Sequence, residues 1–479
     1  MSRLRILLLC GIALLALSVT VPLAQSPQPD LAAAEPEMLQ HFQALVKMDT
    51  SDPPGVEKPA ADYVKQVLES AGIPVQIFAS DPNRPNVVAR LKGSGKKRAL
   101  LILGHLDTVN VDPKKWVHPA FGAVRDGGHI YGRGTVDDKD NLTAALMVML
   151  LLKRNNVPLD RDVIFLAESG EEGATRIGIE YVVRDHFSAI DAEYCYAEGG
   201  GVTRQGGTVR YASIQTTEKI PNGIDLVARG TAGHGSVPLQ NNAIAHLSKA
   251  VAAVVEWQPP IELNDTTAQY FKRLAAIAPP ELARHYRNVV SGNPRLMADA
   301  DAWLRANEPR HASMLRTSVS PNILQGGYRN NVIPSEARAT LDVRMIPDED
   351  PDRFLAQLKK VVNDPAVDVV FNGWPPTFTG KPRNGGTSRI DSEAFKVVEA
   401  AVTRHYQTTT LPTMSTGASD MAFLREKGIQ CYGIGPATDI EDGPKGFGAH
   451  SDQERILEAE LYRFLRFHWD IVYEIARAK

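Results

Sequence analysis

A chain of 479 residues is too long for one ordinary hydrophobic core, so two domains are the starting expectation. With 43% hydrophobic and 23% charged residues the composition is that of a globular protein, and a formal net charge of −3 offers no attraction to nucleic acid or an anionic membrane. A small-molecule or peptide substrate is the partner to look for.

Arg3 and Arg5 precede an apolar run at 6–24, and Ala24, Gln25 and Ser26 resemble a small-residue cleavage site. Residues 1–26 therefore read as a signal peptide and imply an exported protein, periplasmic or secreted. If the signal stays uncleaved, the run is nearly long enough to anchor the chain in a membrane. A Pro- and Ala-rich lead-in follows at 26–35, and no later run is long and apolar enough to cross a bilayer. Of three cysteines, Cys10 leaves with the signal. Cys195 and Cys431 lie in apolar strand-like runs and read as small buried hydrophobes, not as a disulfide framework.

Helical periodicity at 37–47 and 58–71 opens the mature chain, followed by short strands at 75–78 and 86–91. Three apolar runs, at 99–103, 163–167 and 193–197, lack alternation, as strands covered on both faces do. A helix is expected between the first two, over 140–153, with Asp140 or Asn141 as its N-cap. Strands alternating with helices predict an α/β fold with a mainly parallel sheet and helices on both faces. After about residue 212 the pattern changes to a strand at 224–228, a helix at 243–255, a long helical region at 267–306 and strands near 322–325 and 337–344. These read as an inserted α+β domain. The parallel pattern is expected to resume with 367–371, a helix at 392–405, a strand at 429–434 and a closing helix at 453–475. The predicted organisation is a signal peptide at 1–26, a catalytic domain in two parts at 27–212 and 347–479, and the insertion at 213–346.

Five segments carry the chemistry. His105 and Asp107 directly follow the first buried run, where side chains of a parallel sheet meet ligands. A histidine with an acid two positions on has the spacing of a metal ligand and its orienting carboxylate. Asp137 and Asp138 follow the turn containing Gly132 and Gly134. Glu171 and Glu172 follow the second buried run, and adjacent carboxylates repel unless a cation or shared proton relieves them. Glu198 precedes three glycines after the third run, and His450 stands in a glycine-containing loop near the end of the chain. Singly each has a bland reading as a turn, a helix start or a solvated loop. Together they form a mixed imidazole and carboxylate set at strand ends, and such a set without thiolates suits catalytic zinc, with manganese or cobalt as replacements.

With these segments in this order, the chain resembles the two-zinc exopeptidase family of acetylornithine deacetylase, succinyl-diaminopimelate desuccinylase, aminoacylase, carnosinase and carboxypeptidases G and S. The resemblance implies that His105 and Glu198 hold one zinc, that Glu172 and His450 hold the other, and that Asp137 bridges them across a cis Asp137–Asp138 peptide. It makes Asp107 the residue that orients His105 and Glu171 the general base. The insertion resembles the family's lid, or dimerisation, domain, which implies a homodimer through the lid. His234, in Gly233-His234-Gly235-Ser236, would donate to the developing oxyanion, from the partner subunit in dimeric relatives. Asn331 would contact the substrate, Arg344 would grip its carboxylate, and Gly417 lies in the glycine-rich turn near that carboxylate. The enlarged helical stretch and the Glu-Gly-Gly form of the fourth segment lean toward the carboxypeptidase S and N-acyl-amino-acid hydrolase branch. Asp140 departs from the pattern, since many relatives have glycine after the lysine.

The implied activity is zinc-dependent hydrolysis of an amide or peptide bond next to a free carboxylate, in a dipeptide, a C-terminal peptide bond or an N-acyl amino acid. Two readings compete with it. A metal-free serine amidase or esterase would need a nucleophile elbow such as G-x-S-x-G, which the chain lacks. A non-catalytic exported binding protein would be marked by loss of the base or of a ligand, yet Glu171 and all five ligands are present.

Overall fold

The structure, a computed structural model, describes residues 29–374 and 385–479, so the expected signal peptide lies outside the described residues. A ten-stranded sheet organises the larger part of the chain. At its centre Val163–Glu168, Leu100–His105, Tyr194–Ala197 and Gln430–Gly433 run parallel in that order. The outer strands Val75–Phe78 and Asn86–Leu91 join antiparallel on one side, and Thr208–Glu218 and Gly201–Gln205 on the other.

The central strands lack alternation because both sheet faces are covered. Every residue of Leu100–His105 and Val163–Glu168 is buried. On one face the helix Lys139–Arg154, buried along nearly its whole length, packs with Glu35–Val46, Lys58–Ser70, Glu393–Tyr406 and Glu458–Ala476. On the other, Ile179–Asp185 and Met421–Glu426 close a second apolar layer. Cys195 and Cys431 are both fully buried and face each other across paired strands. Among the described residues no helix is long and apolar enough to cross a membrane.

The insertion is built on a four-stranded antiparallel sheet, Ser318–Gly326, Glu336–Met345, Ile220–Arg229 and Val367–Phe371, packed against helices Ala243–Glu256 and Pro351–Val362. Here the structure corrects one expectation. Val367–Phe371 does not return to the parallel sheet but pairs antiparallel with Ile220–Arg229. Its alternating burial, buried only at Val367 and Val369, is that of a strand with one covered face.

Three further differences concern helix ends. The helical region expected at 267–306 is three helices, Asp265–Ile277, Pro280–Val289 and Pro294–Asn307, followed by the short Pro309–Ser313. A proline opens each of the last three, where its missing N–H costs nothing. This helical unit rests on the main sheet, with Leu411 and Met414 of Thr410–Ser415 in its core. The helix expected from Asp140 begins at Lys139, so Asp138 occupies the N-cap position and Asp140 and Asn141 lie inside the first turn. The closing helix begins at Glu458, because Arg455–Leu457 is a strand paired with His129–Tyr131.

Candidate metal centre

His105 ends a central strand, Glu172 follows the neighbouring strand and Glu198 follows the next, so the sheet alone brings three of the five expected ligands to one edge. Asp137 arrives from the loop before the buried helix, and His450 from the loop between the strands Ala437–Asp439 and Arg455–Leu457. The five form two triads that share Asp137. Donor atoms of His105, Asp137 and Glu198 lie within 4.8 Å of one another, as do those of Asp137, Glu172 and His450. His105 Nε2 is 3.1 Å from Asp137 Oδ1, and His450 Nε2 is 3.0 Å from Asp137 Oδ2 and 3.1 Å from Glu172 Oε1. The Asp137–Asp138 peptide is cis.

Electrostatics here favour a bound cation. Among the described residues no lysine or arginine lies within ion-pair distance of Asp137, Glu171, Glu172 or Glu198, whose only basic neighbours at that distance are the two histidines. Burial and then the neighbouring carboxylates push the Glu198 carboxyl up to about 8 and Glu171 well above the usual range. Burial also opposes charge on His105, yet Asp107, Asp137 and Asp138 hold its pKa well above the ordinary value. A cluster of acids that can ionise only against its own repulsion is relieved by a positive charge at its centre. Oxygen and imidazole donors sharing one carboxylate fit a pair of divalent cations.

The surrounding residues hold these groups in place. Asp107 is fully buried, and its Oδ1 accepts from the backbone N–H of Gly170 at 2.9 Å and Glu171 at 3.2 Å, its Oδ2 from that of Glu172 at 3.0 Å. Asp107 thus clamps the turn that carries both glutamates. Its link to His105 is made chiefly by its backbone carbonyl, 3.0 Å from Nδ1, while its side chain stands 3.5 Å away. Gly170 adopts φ +87° in that turn, and a Cβ there would meet Ala174 O at 2.7 Å. Glu198 is positioned by close backbone packing, since a Cβ on Gly200 would fall 2.0 Å from Gly433 O.

Two positioning roles emerge only with the structure. Glu454 is buried and accepts from Arg133 Nη1 at 2.7 Å and from the backbone N–H groups of Gly134 and Val136 at 3.1 and 2.8 Å, pinning the loop that delivers Asp137. Sequence reading placed Glu454 inside a helix and so missed it. Asp138 turns its Oδ2 toward the His105 backbone N–H at 3.2 Å instead of capping its helix.

The remaining expected residues separate into two groups. Arg344 lines a cavity of about 620 Å³ with Glu171, Glu172 and His450. Its guanidinium is held by Asp342, at 2.7 and 3.2 Å, and lies 5.4 Å from the Trp374 ring centroid. Ala418, Ser419 and Asp420 line the same cavity, whereas Gly417 bonds to Ser415 Oγ and does not. Asp420, part of the same glycine-rich turn but given no role by sequence reading, is 2% exposed and neither of its carboxylate oxygens has a hydrogen-bond partner. Asp140, also buried, lines a second cavity with Glu198. His234 and Asn331 line neither cavity. Both are exposed on paired segments of the insertion, with Gly235 N–H donating to Asn331 O at 2.9 Å and His234 Nδ1 2.7 Å from Ser236 Oγ.

Known proteins resemble this chain in sequence and in fold. The N-formyl-4-amino-5-aminomethyl-2-methylpyrimidine deformylase of Halalkalibacterium halodurans is 25% identical over 91% of this chain and 94% of its own. The N-fatty-acyl-amino acid synthase/hydrolase of Xenopus tropicalis is 28% identical over 66% of this chain and 62% of its own. Among solved structures, an M20 family metallo-carboxypeptidase from Sulfolobus solfataricus superposes with a TM-score of 0.69 at 22% identity, covering 91% of this chain and 98% of the other. The model of peptidase family M20/M25/M40 matches residues 101–474. The protein is a metal-dependent hydrolase of amide bonds and belongs to peptidase family M20/M25/M40.

Proposed function

We propose that this enzyme is a two-zinc amidohydrolase that cleaves an amide or peptide bond adjacent to a free carboxylate, in a dipeptide, a C-terminal peptide bond or an N-acyl amino acid. The observation that carries the reading is the cavity that presents Arg344 beside Glu171, Glu172 and His450. A guanidinium grips a carboxylate through two parallel N–H donors, and Arg344 already makes such a pair with Asp342. A substrate carboxylate takes over that pairing and fixes the scissile bond against the ligand set.

Bound at the two triads, a pair of zinc ions, or cobalt or manganese in their place, supplies Lewis-acid polarisation of the carbonyl and makes water acidic near neutrality. Glu171, held by the Asp107 clamp, removes the proton from the attacking water and delivers it to the leaving amine. His234 supplies the oxyanion donor from a second copy of this chain, because within one chain it lines neither cavity. The lid suits such a dimer. Ser318–Gly326 is a nine-residue edge strand with exposed Ile323 and Leu324, and beside it an apolar groove is lined by Ile244, Val251 and Val255. An exported location belongs to the same reading, supported by the leader pattern at 1–26.

The test is Glu171→Ala. Zinc content stays near two per chain while kcat falls by about a hundredfold to ten-thousandfold on N-acyl amino acids or dipeptides. Near-normal kcat in that variant overturns the assignment. An N-formyl amide lacking a carboxylate belongs in the substrate panel, and its preference over every carboxylate-bearing substrate overturns the role of Arg344.

A further inference from the structure

The ligand set is approached from two sides. The Arg344 cavity meets it at Glu172 and His450, and a different cavity, of about 410 Å³, meets it at Glu198. That second cavity adjoins another of about 440 Å³, and the two share the glycine run 199–201, Thr203, Tyr211 and Arg310. They form one continuous chamber that leads from Glu198 to the helical unit of the insertion. Ser213, Tyr270, Thr413 and Ser415 bring hydroxyls to the far end, beside Glu308 and Met314.

Asp138, Asp140 and Glu198 line the near end of this chamber without a lysine or arginine partner among the described residues, and among its cations one stands apart. Asp439 faces Arg204 at 3.5 Å, and Asp442 pairs with Arg455 at 2.7 Å, whose guanidinium also stacks 3.9 Å from the Phe447 centroid. Glu308 is occupied by His311 Nδ1 at 2.6 Å and the Tyr286 hydroxyl at 2.8 Å. Arg310 alone has no carboxylate within ion-pair distance among the described residues. Its backbone is nevertheless fixed, because Glu308 and His311 flank it and His311 Nε2 also meets the Tyr270 hydroxyl at 2.9 Å. Arg310 is solvent-exposed at the wall of this chamber, and a cation on a fixed backbone that lacks a counter-ion can receive one from a ligand.

We propose that Arg310 binds an anionic group on the acyl half of the substrate, so that the enzyme prefers short acyl chains ending in a carboxylate, or an acidic N-terminal residue, over apolar acyl chains. This rests on the amidohydrolase reading above: with the leaving half held at Arg344, the Glu198 side is left for the acyl half. Arg310 is then a specificity-determining residue contributed by the enlarged helical insertion.

The experiment compares N-succinyl-L-alanine with its neutral isostere N-succinamoyl-L-alanine on the zinc-loaded enzyme. The ratio of kcat/KM is expected to favour the succinyl compound by about tenfold or more in the unaltered protein, as one charge-assisted contact allows. It falls to about one in Arg310→Ala and inverts in Arg310→Glu. A ratio near one in the unaltered protein, or a preference that survives both substitutions, overturns the proposal. Taking the ratio cancels any general loss of activity in the variants. Hydrolysis of the neutral compound upholds the amidohydrolase reading whichever way the ratio falls. Should neither compound be hydrolysed, calorimetric binding of both to Glu171→Ala decides the role of Arg310 by itself. Tighter binding of the succinyl compound that is lost in the double variant supports it, and equal binding overturns it.

Discussion

Asp107→Asn separates two ways in which that residue can serve the site. Only one side-chain oxygen remains in the amide. If it takes the Oδ1 position, the bonds to Gly170 and Glu171 survive with a neutral acceptor, while an NH2 group confronts the N–H of Glu172 at the 3.0 Å position of Oδ2. Leaving that buried donor unpaired costs about 1–3 kcal/mol, and weakening two charge-assisted bonds adds roughly 1 kcal/mol each. A destabilisation of about 3–5 kcal/mol is therefore expected for the metal-free protein. His105 should hold its orientation, since its Nδ1 partner is a backbone carbonyl that the substitution leaves in place. The damage falls on the turn, so metal affinity should drop about 10- to 100-fold and more steeply at the Glu172–His450 triad than at the His105–Glu198 triad. Urea unfolding of the metal-free protein and stepwise zinc titration read the two effects. Unchanged stability together with unchanged affinity at both sites would refute the clamp. Loss confined to the His105 triad would show that Asp107 acts through the histidine instead.

Chelator dialysis should abolish hydrolysis, and zinc, cobalt or manganese should restore it; activity that survives metal removal would point to a metal-free enzyme. His468 is fully buried with neither ring nitrogen bonded, and burial pushes its pKa down to about 3. Its folded pKa lies below the ordinary 6.5, so its contribution is complete above that pH and is lost as pH falls toward 3. Urea midpoints at pH 7.5 and 5 should show His468→Leu losing about 2 kcal/mol less than the unaltered protein over that interval; equal losses would exclude His468 as a titrating group in this range. Cys195 and Cys431 should resist maleimide at pH 8 until the protein is unfolded, because burial pushes the Cys195 thiol up and neither side chain is exposed. Prompt native labelling, followed by mass spectrometry of each site, would contradict their reading as inert buried groups.

The central strands and the residues just beyond them were legible because full burial on two faces writes an unbroken apolar run, and the side chain that follows it meets the ligand edge. His105, Glu172 and Glu198 are all of this kind. His450 and Asp137 lie in loops, and their convergence could be inferred only from the family's order of segments. Strand partners were not legible: the pattern at Val367–Phe371 specifies a strand but not which sheet it joins. Glu454 was hidden because an acid before an amphipathic helix reads as its first turn, and only the folded chain brings Arg133, Gly134 and Val136 to it. Arg310 carries no local signal at all. Its meaning comes from the ion pairs its neighbours make and it does not.

His105 and His450 approach the same carboxylate of Asp137 from opposite parts of the chain. On the proposed ligand assignment, metal uptake requires that nearly the whole polypeptide be in place, and an occupied centre would work as a latch between its early and late segments. Ligand that binds only the folded form stabilises it by RT ln(1 + [L]/Kd), about 4 kcal/mol at a thousandfold excess over Kd. The same ions that serve hydrolysis then govern how long a molecule survives proteolysis. In a metal-poor surrounding the enzyme would disappear as well as fall silent.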